Sequence, residues 1–448
     1  MRTPRPIASD PITVVDLFSG CGGFTQGFHE FRPENGDHTG PVFHSIAAVE
    51  HNAAAAATYA VNFGALRRDE RVPPARVHVG DIEAWEPTAE VHDADVVVGG
   101  PPCQGFSALN RQKKGSERNR LWEEYVRIVA DIRPKVFVIE NVDRFLKSDE
   151  FKNLLSEVKV GGRLAEYRLV DPLNYEPTDN MDAKRYLLNA ADYGASQARR
   201  RAIVIGVRRD IDNGRTMAYP HRSHVRLSKK TREVRGQLMS DLDTPVSYWN
   251  SVDEIFEESA RCIIQGTELP DVKEFVPEIN EVIPGVFTTR DLHFRRSPEV
   301  LSRARYRAIR AGGNRKDLSG KWYTLDESGE FCFFNVPNPP GVRTPVEYLS
   351  TESWDRHNTG TGDVMGRLRL GEPSVTIRTE FYKPEKGRYL HPTEDRPITH
   401  FEAARLQGFP IDFRWCGTKT QIATQIGNAV PIPLGKAIAG AIHTFLRS

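Results

Sequence analysis

Cys103 follows Gly99-Gly100-Pro101-Pro102, which in turn follows the β-branched run Ala94-Asp95-Val96-Val97-Val98. The run reads as a buried strand. Each proline fixes its own φ and biases the preceding residue towards extended backbone, so the thiol is delivered on a stiff support. In an open α/β sheet, chemistry gathers at the carboxyl ends of the strands, which places Cys103 as a nucleophile rather than as packing. A second apolar run, Lys135-Val136-Phe137-Val138-Ile139, ends in Glu140. A carboxylate in that position can carry a proton, so the two strand ends predict nucleophilic attack followed by proton transfer.

A third strand end holds Asp16, followed by Leu17, Phe18 and the turn Ser19-Gly20-Cys21-Gly22-Gly23. The spacing is not that of a pyrophosphate loop, and the acid beside the turn opposes a phosphate. A close-approach turn with a neighbouring acid suits a ligand with ribose hydroxyls and a cationic centre, as S-adenosylmethionine has. Glu50 ends the strand Ser45 to Val49, and Asp81 follows the strand Arg76 to Val79. Three successive strands thus each end in an acidic residue, and Glu50 is placed for ribose hydroxyls by the logic of dinucleotide folds.

Six blocks, in order, resemble those of the DNA cytosine-5 methyltransferases. They are Asp16 to Gly23, Gly99 to Ser107, Glu140-Asn141-Val142, Gln197 to Arg201, Arg405 to Pro410 and Gln425 to Pro431. The resemblance spans nearly the whole chain and is of the prokaryotic, restriction-modification kind. It implies methyl transfer from S-adenosyl-L-methionine to C5 of a cytosine in a specific duplex DNA sequence, by base flipping and covalent attack of Cys103 on C6. It implies a catalytic set of Cys103, Glu140, Arg199 and Arg201. The implied cofactor set is Asp16, Phe18, Ser19, Gly20, Gly22, Gly23, Glu50, Asp81, Ile82, Pro102, Leu121 and Asn428. Gln104, Ser107, Arg111, Lys113 and Lys114 are the implied DNA contacts, on a lid from Gln104 to Arg120. The expected product is S-adenosyl-L-homocysteine, with no metal. The expected partners are double-stranded DNA, on which the chain acts as a monomer, and a separately encoded cognate restriction endonuclease.

The elements that must position these groups follow. Residues 11 to about 208 alternate strands with helical stretches, as a parallel α/β sheet requires. The fold expected is a Rossmann-like S-adenosylmethionine-dependent methyltransferase sheet carrying an inserted, smaller, irregular β-rich target-recognition domain. The catalytic domain is expected to be discontinuous, 1–208 plus 424–448, with 209–423 as recognition domain and connecting segment. The resemblance further implies that the terminal apolar helix, Leu434 to Leu446, packs beside the first strand.

At 448 residues the chain exceeds one ordinary core, and 39% hydrophobic with 27% charged residues is a globular composition. No apolar run reaches membrane-spanning length and Met1 to Asp10 lacks an apolar signal region, so a cytoplasmic protein, nucleoid-associated when bound to DNA, is expected. Five scattered cysteines without a CxxC suggest neither a disulfide framework nor a zinc site. The net charge of +1 conceals segregation. Arg199 to Arg235 holds twelve basic against three acidic residues, Arg295 to Lys321 nine against two, and Asp253 to Glu281 nine acidic against two basic. Two basic blocks flanking an acidic one suit a surface with one face towards phosphates. Three other readings compete. An RNA cytosine methyltransferase fits less well with the long basic insert. A catalytically dead DNA-binding regulator fits poorly with an intact Cys103, Glu140, Arg199 and Arg201. A dehydrogenase fails on Asp16 and on the Pro-Pro-Cys strand end.

Overall fold

The computed structural model describes residues 10–33, 41–67, 73–102, 116–172, 183–211, 216–226, 246–356 and 363–447, with 116–120 described by backbone alone. Valine-rich segments form the centre of the sheet: β1 (Ile12–Leu17), β2 (Phe43–Glu50), β3 (Arg76–Val79), β4 (Val96–Gly99) and β5 (Val136–Asn141). All five pair in parallel, in the order β3-β2-β1-β4-β5. Helices α1 (Gly23–Glu30), α2 (Ala53–Phe63) and α3 (Ser116–Ile132) make three of the connections. A short helix α4 (Asp149–Glu157) follows β5, capped by the Ser148 hydroxyl on the Phe151 N–H.

The expectation of a parallel sheet fails at one edge. Strand β8 (Arg200–Arg208) runs antiparallel to β5, and β6 (Tyr167–Leu169) and β7 (Leu187–Asn189) both run antiparallel to β8. An apolar run reads alike in either direction, so the pattern of Ala202 to Val207 could not reveal this. The reversal has a consequence for position. Because Ala202 pairs with Asn141, the start of β8 lies level with the carboxyl end of β5. The chain before Ala202 is therefore brought to the chemical edge of the sheet.

The later elements needed here are helices α5 (Asp253–Ala260), α6 (Val300–Ala308), α7 (His400–Leu406), α8 (Lys419–Asn428) and α9 (Ile432–Arg447). The terminal helix α9 packs principally on α1, where a Cβ on Gly27 would come within 2.8 Å of the Lys436 nitrogen. Its apolar side chains Leu434, Ile438, Ile442 and Phe445 share the core of the sheet. The expected neighbour was the first strand, and the correction is that a helix lies nearest.

The domain boundary also moves. Residue 424 falls inside α8. Phe287, Leu292, Ile377, Phe381, Phe401, Phe409, Trp415 and Ile426 share one core with Ala48, Tyr59 and Phe63 of the sheet and α2. Much of 209–423 is thus built onto the α/β unit. A separate core gathers Ala304, Tyr306, Ile309, Leu318, Tyr323, Leu349, Met365 and Leu390. Around it, Trp322–Leu325, Phe331–Phe334 and Glu347–Tyr348 form a three-stranded antiparallel sheet. The elements of 209–423 are short and weakly periodic, so nothing in their pattern tells which core each joins.

Candidate active site

Chain order reverses between β1 and β4, since β2 and β3 lie to one side of β1 and β4 and β5 to the other. Such a switch point opens a crevice beyond the strand ends. A cavity of about 1130 Å³ occupies it. Its wall includes every described residue of the expected catalytic and cofactor sets except Gly22: Asp16, Phe18, Ser19, Gly20, Gly23, Glu50, Asp81, Ile82, Pro102, Leu121, Glu140, Arg199, Arg201 and Asn428. Gly22 instead occupies the N-cap of α1, facing the rings of Tyr59 and Phe63. Its expected place on the cofactor is corrected to a structural one. Cys103, Gln104, Ser107, Arg111, Lys113 and Lys114 lie outside the described residues, as does the expected lid as far as residue 115.

The wall beneath β1 and β2 is acidic and dry. The Asp16 carboxylate is buried and accepts from the Thr25 hydroxyl at 2.8 Å; that hydroxyl also lies 2.9 Å from the Tyr59 hydroxyl. Loss of hydration is the main reason its pKa is pushed up to about 7, and Glu50 nearby adds to it. Glu50 accepts from the Gly20 N–H at 2.8 Å and from the Asn52 N–H at 2.7 Å, which ties the glycine turn to the end of β2. Burial raises its pKa as well, against those two bonds. Between these acids Phe18 takes φ +55°, a strained conformation for a side chain of its size. Asp81 caps the short helical turn Ile82–Ala84 through the Glu83 N–H at 3.0 Å.

The opposite wall is built from β5 and β8. Arg201 Nε donates to Glu140 Oε1 at 2.7 Å, both side chains being largely shielded from water. The Asn141 side-chain amide donates to the Pro101 carbonyl at 3.0 Å, fastening the Pro-Pro segment to β5. A Cβ on Gly100 would stand 3.1 Å from Glu140 Oε2, so the backbone leading to Cys103 passes directly over the carboxylate.

Arg199 has a different environment. It is fully buried, and its guanidinium donates to the Ile377 carbonyl at 2.8 Å and the Gly427 carbonyl at 2.9 Å. The neighbouring Gln197 accepts from the Ile377 N–H at 2.8 Å and donates to the Gln407 side chain at 2.8 Å. Gln407 in turn donates to the Ile426 carbonyl at 2.6 Å. Three of the sequence blocks are therefore one buried hydrogen-bond network, which seats 374–379 and α8 against the start of β8.

That network brings to the wall residues the sequence reading passed over, Thr376, Arg378 and Thr379 with Thr420, Gln421 and Thr424 of α8, and beside them Gln425, which it had noted only as the start of a block. Thr420, Thr424 and Asn428 fall at intervals of four, one face of a helix, and this spacing was a readable signal. Residues 376–379 carried none.

The wall also has the makings of a ligand site. Among the described residues, Ser19 Oγ, Arg199 Nε and Gln425 Oε1 are buried on it without a hydrogen-bond partner. Buried polar atoms ordinarily have partners, so these await one. Carboxylates, a glycine turn and apolar Phe18, Ile82 and Leu121 together fit a nucleoside with a cationic centre. Among the described residues no cluster of His, Cys, Asp or Glu could hold a metal.

The sheet with β8 reversed between β5 and β6, the acid-lined switch-point cavity and the Glu–Arg pair beside a Pro-Pro strand end are the features the comparisons with known proteins bear on. The sequence pattern of the C-5 cytosine-specific DNA methylase family matches residues 12–444, and the chain belongs to that family. It is 25% identical to the Type II methyltransferase M.DdeI of Desulfomicrobium norvegicum, over 98% of this chain and 90% of that protein. It is 28% identical to M.XorII of Xanthomonas oryzae pv. oryzae, over 97% of this chain and 85% of that one. An E. coli prophage protein assigned as a DNA modification methyltransferase superposes with a TM-score of 0.57 at 21% identity, covering 98% of this chain and all of that one. The chain is a DNA (cytosine-5)-methyltransferase, of a family whose methyl donor is S-adenosylmethionine.

Proposed function

We propose that this enzyme flips a cytosine out of a specific duplex DNA sequence and methylates its C5 through a transient bond between Cys103 and C6. The observation that carries the reading is the Glu140–Arg201 pair lying under the backbone that leads to Cys103.

Cytosine C5 is too weak a nucleophile to take a methyl group unaided. The Cys103 thiolate adds to C6, forming an S–C6 bond and moving the ring electrons towards C5. N3 and O2 gain negative charge in that step, and they are adjacent on the ring. Glu140 serves N3 with a proton or hydrogen bond, and Arg201 serves O2 with its guanidinium. The contact between these two side chains matches the adjacency of their targets. When bound, S-adenosylmethionine would supply an electrophilic methyl group to C5, the C5–CH3 bond forming as the S–CH3 bond breaks to leave S-adenosylhomocysteine. A solvent base then takes the C5 proton, and the C5–H electrons re-form the C5–C6 double bond and expel the Cys103 thiolate from C6.

Glu50 would hold ribose hydroxyls, with Asp81 beside it, and Asp16, Phe18, Ser19, Gly20 and Gly23 the cationic end. Pro102, Ile82 and Leu121 would flank the base of the nucleoside, with Asn428 closing the site. Arg199 supports catalysis by holding Arg201's neighbours in place. The target base starts inside a duplex stack and must leave it to reach such a cavity. Gln104, Ser107, Arg111, Lys113 and Lys114 would grip the backbone, and the module around Tyr306 and Leu349 would choose the sequence. A cognate endonuclease and action as a monomer complete the reading.

The test is Cys103→Ala with duplex DNA containing 5-fluorocytosine at the methylated site. The wild-type enzyme is expected to form a denaturant-resistant complex and the variant none, with methyl transfer abolished while S-adenosylhomocysteine still binds. Substantial turnover by the variant refutes the covalent step.

A further inference from the structure

Arg378 is a cation on the cavity wall that none of the roles above uses. Its side chain is exposed and makes no ion pair or hydrogen bond among the described residues. Its backbone is fixed from three directions. Ile377 beside it is held through its N–H by Gln197 and through its carbonyl by Arg199. On the other side Gly427 packs so closely that a Cβ there would lie 2.5 Å from the Arg378 carbonyl carbon. Ser374 donates to the Ser196 carbonyl and accepts from the Ala198 N–H, at 2.9 and 2.8 Å, running the segment alongside the chain that leads to Arg201. A segment this firmly held presents its side chains at set positions, and here these are Thr376, Arg378 and Thr379 on the wall.

An unpaired guanidinium at a set point on a cavity wall selects an anion with paired oxygens. Two sources exist at this site: a DNA phosphate and the carboxylate of the cofactor. The cofactor end of the cavity already offers a helix N-terminus at the glycine turn. Arg378 is instead exposed, on the segment that flanks the start of β8 and Arg201. We infer that Arg378 binds the phosphodiester of the extruded nucleotide and sets how far its base enters the cavity. This inference rests on the base-flipping reading above.

The experiment compares wild type, Arg378→Ala and Arg378→Lys on duplex DNA carrying the methylated site. An exposed side chain without partners can be removed safely, so unfolding midpoints should match. Arg378→Ala is expected to weaken DNA binding roughly 10- to 100-fold, the loss of one charge-assisted hydrogen-bonding group. The slope of log affinity against log salt should fall by about one on the cognate site and change less on unrelated sequences, where no nucleotide is extruded. KM for DNA should rise far more than kcat falls. Arg378→Lys should restore the salt slope but only part of the affinity. Affinity for S-adenosylhomocysteine without DNA should be unchanged. If DNA affinity and salt slope match wild type, or if S-adenosylhomocysteine binding weakens instead, the inference is overturned. A wild-type enzyme that methylates but never extrudes its target base, judged by 2-aminopurine fluorescence at that position, would overturn the underlying reading instead.

Discussion

Asp16 is a carboxyl with little water around it, and its proton reports on the fold. Its pKa stands near 3.8 in an unfolded chain and is pushed up to about 7 here by burial. The folded state then holds the proton more tightly than the unfolded one, so the contribution of Asp16 to stability is complete below about pH 4. It fades as pH rises through 7. Asp16→Asn should therefore flatten part of the decline in unfolding midpoint between pH 4 and 7, read as the difference from wild type. A variant with the wild-type slope would show that Asp16 is already ionised. The residues of this wall were readable because each ends a strong β-branched strand, as Asp16 and Glu50 do. Arg199 was readable as a member of the block Gln197 to Arg201, yet not as a buried tether, because its acceptors lie 178 and 228 positions away.

At the scale of elements, the contact between α8 and 376–379 decides the shape of the site. Gly427 permits it, since a Cβ there would lie 2.3 Å from the Thr379 nitrogen. Alanine is the better helix former by up to about 1 kcal/mol, but forcing an atom into a packed contact costs about 1–3 kcal/mol, so the clash should win. Gly427→Ala is expected to lower stability in urea and to impair methylation of DNA. A variant as stable and active as wild type would mean that the helix and the loop part freely. Strands β1 to β5 were legible from their valines. The antiparallel course of β8 was not, because period reports which faces are buried and never the direction of the chain. Nor was the wall at 376–379 legible, since nothing in Thr376-Ile377-Arg378-Thr379 names Gln197 as its neighbour.

The whole molecule is joined across its later half by a buried ionic cluster. Glu402 of α7 accepts from both terminal nitrogens of Arg396, at 2.7 and 2.9 Å, and from Ser259 of α5 at 2.6 Å. Its burial opposes ionisation, but the hydrogen bonds and charge of Arg396 prevail and hold its pKa at about 2. Neutralising Glu402 leaves Arg396 with Glu394 as its remaining partner, at 2.9 and 3.2 Å. Glu402→Gln is accordingly expected to cost less than the roughly 3–5 kcal/mol of a fully broken buried pair but still more than about 1 kcal/mol in denaturant unfolding, and a smaller loss would show that Glu394 alone suffices for Arg396. Sequence composition gave the segregation of charge over long blocks, but this cluster joins residues whose partners only the tertiary fold defines.

The seating of α9 on α1 bears on how the enzyme comes into being. Helix α1 opens with Gly23 on the cavity wall, and it has its permanent neighbour only once the chain has been made as far as Arg447. During synthesis the first two hundred residues emerge with most of their sheet but without that support, and with Arg199 lacking both of its carbonyl acceptors. Pairings of such long sequence separation form late, because chain entropy must be overcome before any contact is gained. A nascent chain of this enzyme therefore has no finished donor pocket until the residues of α9 have been made and seated on α1.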